Sequence, residues 1–172
     1  MSIKVAIVED NSKIRESLAI VLNGTQGLSC IAAFPNAEVA LKELPRHWPD
    51  IVLMDINLPK MSGIECVSNL KAMRPQLQVI MLTVYVESEK IFQSLMAGAS
   101  GYLIKQTPPA EIINAIMEVH RGGSPMSSQI ARKVVQYIQQ LEQPRAETAS
   151  LSKREHEILA YLAKGFQYKE IA

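Results

Sequence analysis

The sequence predicts an α/β protein built on one parallel, five-stranded sheet with helices on both faces, followed by a smaller helical segment. Three observations carry that reading. Over the first 120 residues, short β-branched runs alternate with segments of 3.6-residue periodicity, the arrangement of a parallel sheet covered by helices. Several of the runs are almost continuously apolar, as strands buried on both faces are. With 172 residues, 48% of them apolar, the chain has room for an ordinary domain plus an appendage and enough apolar surface for a core.

The five expected strands are Ile3–Val8, Leu28–Phe34, Ile51–Met54, Gln78–Leu82 and Gly101–Ile104. Between them the helices announce their starts. Asn11 or Ser12 begins the first and Asn36 the second, both residue types whose side chains accept from the free N–H groups of a first turn. Ser62-Gly63-Ile64-Glu65 has the S-x-x-E form of a capping box. Pro108 and Pro109 suit the first turn of the fifth helix, where a missing N–H costs nothing. The order is (βα)5, and right-handed crossovers leave few topologies for it.

After His120 the character changes. Gly122-Gly123-Ser124-Pro125 punctuates the chain, and a separate helix is expected from about Met126 to Glu142. Domains of 1–121, 122–149 and 150–172 follow. In the middle helix Ile130, Val134, Tyr137 and Leu141 form a narrow apolar seam, open to two readings: packing on the protein's own neighbours, or a seam between two copies in a homodimer. Gln143–Ala149, polar and interrupted by Pro144, reads as a flexible joint.

Formal net charge is +1, from 18 Lys and Arg against 17 Asp and Glu, so the overall balance demands neither a polyanionic partner nor a membrane surface. The segment 1–121 is slightly acidic and 122–172 slightly basic. Cys30 and Cys66 fall in apolar stretches without metal or redox spacing, which makes them free thiols of a reducing compartment. Lys4, Glu9 and Asp10 interrupt any signal-like start, and no stretch nears the roughly 20 apolar residues of a spanning helix. A cytoplasmic protein without membrane association is the expectation.

Chemistry concentrates at strand ends. Glu9 and Asp10 follow the first strand and Asp55 the third. In a doubly wound sheet of order 2-1-3-4-5 these strands are neighbours at the topological switch point, where ligands bind beyond the carboxyl ends. Three carboxylates so placed repel one another, and a hard divalent cation with oxygen ligands relieves them. Mg²⁺ suits a few carboxylates plus waters and a phosphate oxygen. Thr83 follows the fourth strand and Lys105 the fifth, so a hydroxyl donor and a compact cation stand at the same rim. A carboxylate between them can attack phosphorus and become an acyl phosphate.

Val8-Glu9-Asp10-Asn11, Asp55-Ile56-Asn57-Leu58-Pro59, Leu82-Thr83 and Gly101-Tyr102-Leu103-Ile104-Lys105 resemble, in order and spacing, the motifs of response-regulator receiver domains. The resemblance implies a flavodoxin-like (βα)5 fold and a phosphoacceptor at Asp55. It implies Mg²⁺ ligated by Asp10, Asp55 and the backbone carbonyl of Asn57, with Glu9 acting through water. Thr83 and Lys105 would bind the phosphoryl group, and Tyr102 would be the aromatic switch residue. The implied donor is a sensor histidine kinase, and such a protein is not a turnover enzyme. Two positions depart from the commonest pattern. Gln106 stands where many receivers have a cis proline, and because a cis Lys–Gln bond would cost about 3–4 kcal/mol a trans bond is expected. Val84, bulkier than usual beside Thr83, is expected to slow water's approach to the acyl phosphate.

Leu151-Ser152-Lys153-Arg154-Glu155 opens with a second capping box, Gly165 ends that helix, and Lys169-Glu170-Ile171-Ala172 begins another. This resembles the start of the LuxR-type helix-turn-helix of NarL/FixJ response regulators, cut before the recognition helix that lies in the major groove. The expectation is a regulator of transcription whose full-length form reads promoter DNA, while the chain to Ala172 does not. The competing reading is a stand-alone receiver acting through protein contacts or a phosphorelay. An aspartyl phosphatase is disfavoured because Asn57, not an acid, stands two residues after Asp55. A nucleotide-binding fold lacks its glycine-rich loop. His47, His120 and His156 are scattered and suggest no ligand set, and Trp48 reads as a packed loop aromatic.

Overall fold

The computed structural model describes residues 1–142. The expected joint at 143–149 and the helix-turn-helix opening from Leu151 lie outside the described residues. Five strands, β1 (Ile3–Val8), β2 (Leu28–Phe34), β3 (Ile51–Met54), β4 (Gln78–Thr83) and β5 (Gly101–Ile104), pair in parallel in the order β2-β1-β3-β4-β5. That is the expected doubly wound sheet. β4 runs one residue further than its apolar pattern, because Thr83 still pairs with Ile104 and its backbone carbonyl accepts from the Lys105 N–H at 2.9 Å.

The period of two along each strand divides the interior into two layers. On one face Ala6, Val8, Val52, Met54, Val79 and Met81 meet α2 (Ala37–Glu43), α3 (Gly63–Met73) and α4 (Ser88–Met96) through residues such as Ala40, Leu70 and Ile91. On the other Val5, Ile7, Ile51, Leu53, Ile80 and Leu82 meet α1 (Ser12–Asn23) and α5 (Pro109–His120) through Leu22, Ile112, Ile116 and Val119. The caps are those the sequence announces. The Asn11 side chain accepts from the N–H groups of Lys13 and Ile14, Asn36 from Val39, and Ser62 and Glu65 form both bonds of the capping box.

Neither thiol is in a disulfide: Cys30 is half-buried and Cys66 fully buried on α3. Burial, with a smaller contribution from Glu38, pushes the Cys66 thiol up to about 12. Trp48 packs against the core with the Arg74 guanidinium 5.4 Å from its ring centroid.

Past α5 the chain stays on the sheet. Pro125 and Met126 run alongside β5: the Tyr102 N–H donates to the Pro125 carbonyl at 3.0 Å, and Tyr102 and Met126 form a parallel bridge. The approach is close enough that a Cβ on Gly101 would stand 2.9 Å from the Pro125 ring. Because these residues are extended, α6 (Ser128–Glu142) starts two residues later than its periodicity suggests, with the Ser127 hydroxyl accepting from Ile130 N–H. Ile130 is fully buried and Val134 half-buried against the first core layer. The seam's first half therefore packs on the protein's own sheet. Residues Met1–Val135 make one compact unit, and along the rest of α6 Ile138 and Leu141 are exposed.

Candidate functional site

The parallel register brings four strand ends to one rim. Val8 pairs with Met54 and Met54 with Met81, so the residues that follow β1 and β3 emerge side by side, flanked by Thr83 and Lys105. There the Lys105 Nζ lies 2.8 Å from Glu9 Oε2 and 2.8 Å from Asp55 Oδ2. The peptide bond after Lys105 is trans, as expected, and the side chain reaches both acids. Asp10, exposed beside them, completes a group of three carboxylates whose nearest oxygens lie within 4.8 Å of one another.

The charges do not balance. Three carboxylates face one ammonium, and the Glu9 and Asp55 side chains are only 2% exposed. Burial raises the Glu9 pKa above the usual carboxylate value, and Asp55 adds repulsion, against the lowering hydrogen bonds from Lys105 and the Asn11 N–H. Burial works to lower Lys105, but its bonds to Asp55 and Glu9 prevail, and its pKa is raised. One atom is left over: Asp55 Oδ1 is buried with no hydrogen-bond partner. An unpaired buried carboxylate oxygen beside two further acids is what a hard cation would satisfy, so the donor set fits a divalent metal.

Thr83 is fully buried, and its Oγ1 accepts from the Tyr85 N–H at 3.4 Å. Tyr102 is fully buried too, and its hydroxyl donates to the Tyr85 carbonyl at 3.0 Å. The Tyr85 peptide groups are thus tied to both residues. Burial holds the Tyr102 phenol well above its ordinary pKa, with Glu87 and Asp55 adding to the shift. Asn57 is exposed on the loop after β3, and Val84 is 55% exposed beside Thr83.

Two residues that bear on the site went unmarked in the sequence. Gly63 packs directly on the backbone of Asp55, where an added Cβ would come within 1.8 Å of the Asp55 carbonyl oxygen. Its only sequence signal was its place inside the capping box. Arg15 reaches back from α1, and its Nη1 donates to the Glu9 carbonyl at 2.7 Å and the Asp10 carbonyl at 3.1 Å. Its signal was a position four residues after the Asn11 cap, one turn along the same helix face.

A five-stranded parallel sheet of this order, with an acid cluster and a lysine at its switch point, defines a receiver. Residues 5–117 match the response regulator receiver domain, and the chain belongs to the response-regulator family. It is 36% identical over 179 residues to the transcriptional regulatory protein LnrK of Bacillus subtilis (strain 168), covering 99% of this chain and 81% of that protein. It is 30% identical over 173 residues to the response regulator protein VraR of Staphylococcus aureus (strain NCTC 8325 / PS 47), covering 100% of this chain and 81% of that protein. Among solved structures, a LuxR-family two-component response regulator from Aurantimonas sp. SI85-9A1 superposes with a TM-score of 0.75 at 28% identity, over 80% of this chain and 99% of that one. These relatives place the chain in the NarL/LuxR group of response regulators, which are signalling proteins and not turnover enzymes. No helix among the described residues is long and apolar enough to cross a membrane.

Proposed function

We propose that Asp55 accepts a phosphoryl group from a sensor histidine kinase, and that the acyl phosphate so formed controls transcription through the chain's C-terminal region. One observation carries this reading: Asp55 is a buried carboxylate with one oxygen on Lys105 and the other without a partner. An Asp55 oxygen attacks phosphorus, a P–O bond forms, and the P–N bond of the donor phosphohistidine breaks, with a proton going to the released imidazole. Asp10, Asp55 and the Asn57 backbone carbonyl would hold Mg²⁺, with Glu9 acting through water. The metal would supply charge neutralisation on the transferring phosphoryl oxygens.

Lys105 already sits against the acceptor and needs no long movement to pair with an added phosphoryl oxygen. The Thr83 hydroxyl turns its proton toward the same group. As its oxygen moves toward that group, its contact with the Tyr85 N–H loosens, and because the Tyr102 hydroxyl holds the Tyr85 carbonyl, the two side chains shift together. Tyr102 stands where β5 meets the 125–126 segment, so the change reaches the start of α6.

In this reading residues 1–121 are the receiver, 122–149 the linker, and the segment from 150 the beginning of a LuxR-type helix-turn-helix. The protein works in the cytoplasm, acts on transcription from promoter DNA and pairs as a homodimer. Val84 slows attack of water on the acyl phosphate, and Val84→Ala shortens the phosphoprotein's half-life; an unchanged lifetime removes that role.

The decisive experiment is intact mass spectrometry of the chain after incubation with a small phosphodonor and Mg²⁺, beside Asp55→Asn. One phosphoryl addition, labile to hydroxylamine and confined to the parent, is expected. Equal addition to both proteins would overturn the assignment.

A further inference from the structure

The metal-facing acids differ in how they are held. Glu9 and Asp55 are fixed through their own carboxylates, by Lys105 and, for Glu9, by the Asn11 N–H at 3.1 Å. Asp10 is not. It is exposed, and among the described residues its carboxylate accepts no hydrogen bond and forms no ion pair. With no partner to orient it, the direction from which that carboxylate enters the site is set by its backbone, through the Cα–Cβ bond.

That backbone is clamped by one side chain. The Glu9 carbonyl belongs to the peptide plane before Asp10 and the Asp10 carbonyl to the plane after it, so holding both oxygens on one nitrogen restrains how the two planes turn about the Asp10 Cα. Arg15 Nη1 binds both, at 2.7 and 3.1 Å, from a half-buried residue one turn into α1. Hydrogen bonds from an ionised donor are the short, strong kind, and a guanidinium cannot lose its proton under ordinary conditions. Asn11 closes the other side: its side chain caps α1, and its own N–H holds Glu9.

We propose that Arg15 is a positioning residue for the divalent cation, presetting Asp10 by gripping the two carbonyls that flank it. The inference rests on the reading of Glu9, Asp10 and Asp55 as a metal site. It has a sign that distinguishes it from plain electrostatics. As a nearby positive charge Arg15 repels the metal, so if charge were its only effect its removal would tighten binding. As a clamp, its removal loosens binding, by about tenfold, the lower end of what loss of a residue orienting metal ligands costs.

The test is Mg²⁺ titration calorimetry on the full chain for the parent, Arg15→Gln, Arg15→Lys and Asp10→Asn, with thermal unfolding in chelator as a separate readout. The expected result is Mg²⁺ binding weakened about tenfold in Arg15→Gln. In Arg15→Lys, which keeps the charge but whose ammonium ends one bond short of the place of Arg15 Nη1, affinity falls by a smaller factor. Unfolding midpoints in chelator stay near the parent's. Should Arg15→Gln fold poorly, Arg15→Lys carries the test by itself. Binding equal to or tighter than the parent's in the folded variants overturns the proposal while leaving the metal site intact. A parent that takes up no Mg²⁺, or an Asp10→Asn variant that binds it unchanged, counts instead against the metal site.

Discussion

The acid rim and the apolar strap along β5 are both small attachments to the same sheet, and they are held in opposite ways. At the rim, Glu9 and Asp55 are 2% exposed and share a single ammonium. At the strap, Pro125 and Ile130 are buried, Met126 and Val134 half-buried, and backbone pairing such as Tyr102 N–H to the Pro125 carbonyl joins it to β5. Removing the ammonium from the rim strands two buried carboxylates. Removing atoms from the strap costs only in proportion to what is removed. The acid rim is thus intolerant of substitution, and the strap responds in a graded way.

The largest expected effect follows from breaking the rim. Lys105→Ala leaves two buried carboxylates uncompensated and should lower stability in chelator at neutral pH by about 3 kcal/mol, read from urea unfolding. Adding Glu9→Gln to it should restore part of that loss. If Lys105→Ala costs no more than a surface substitution, the acids are not held by mutual compensation and the contrast with the strap disappears.

Ile130→Ala tests the strap. It should cost about 2 kcal/mol, the low end for truncating a buried isoleucine, since its helix borders solvent. It should also speed hydrogen exchange of the Tyr102 amide, because that N–H is bonded to the segment Ile130 pins down. An exchange rate matching the parent's would show that Pro125 and Met126 hold to β5 without α6.

A pH series sharpens the comparison with a group that belongs to neither region. The Cys66 thiol is raised from 9.0 to about 12 in the fold, so the folded state keeps a proton that the unfolded chain loses above 9. Its contribution is complete below pH 9 and is lost as pH climbs toward 12. Between these limits stability should fall by about 1.4 kcal/mol per pH unit less steeply in Cys66→Ala than in the parent. Lys105, also raised, adds a loss of the same sign only above 10.5 and in both proteins. Parallel pH curves for the two would mean the thiol titrates as if exposed.

Much of the fold was legible because its signals are local. Apolar runs mark strands buried on both faces, and Asn11, Asn36 and Ser62 mark helix starts through bonds reaching only two or three residues ahead. α4 had no such mark, and none was there to find, since its cap residue Glu87 makes no side-chain capping bond. The start of α6 was misplaced because pairing of Met126 with Tyr102, 24 positions away in the chain, takes those residues out of the helix. Glu9, Asp10, Asp55, Thr83 and Lys105 could be gathered before any coordinates because parallel strands must end at one rim. Gly63 and Arg15 could not, because their roles lie in contacts with backbone atoms that carry no residue identity.

The order of strand and helix, the sheet topology and the set of side chains at its carboxyl edge follow from the sequence by itself, through periodicity, caps and the handedness of crossovers. Tertiary structure alone decided that Lys105 bonds two acids at once, that one Asp55 oxygen has no partner, and that Pro125 lies against Gly101. The division has a physical origin. Patterns are set by forces that act between near neighbours in the chain, whereas pairing at a few ångströms is set by how separately formed elements pack.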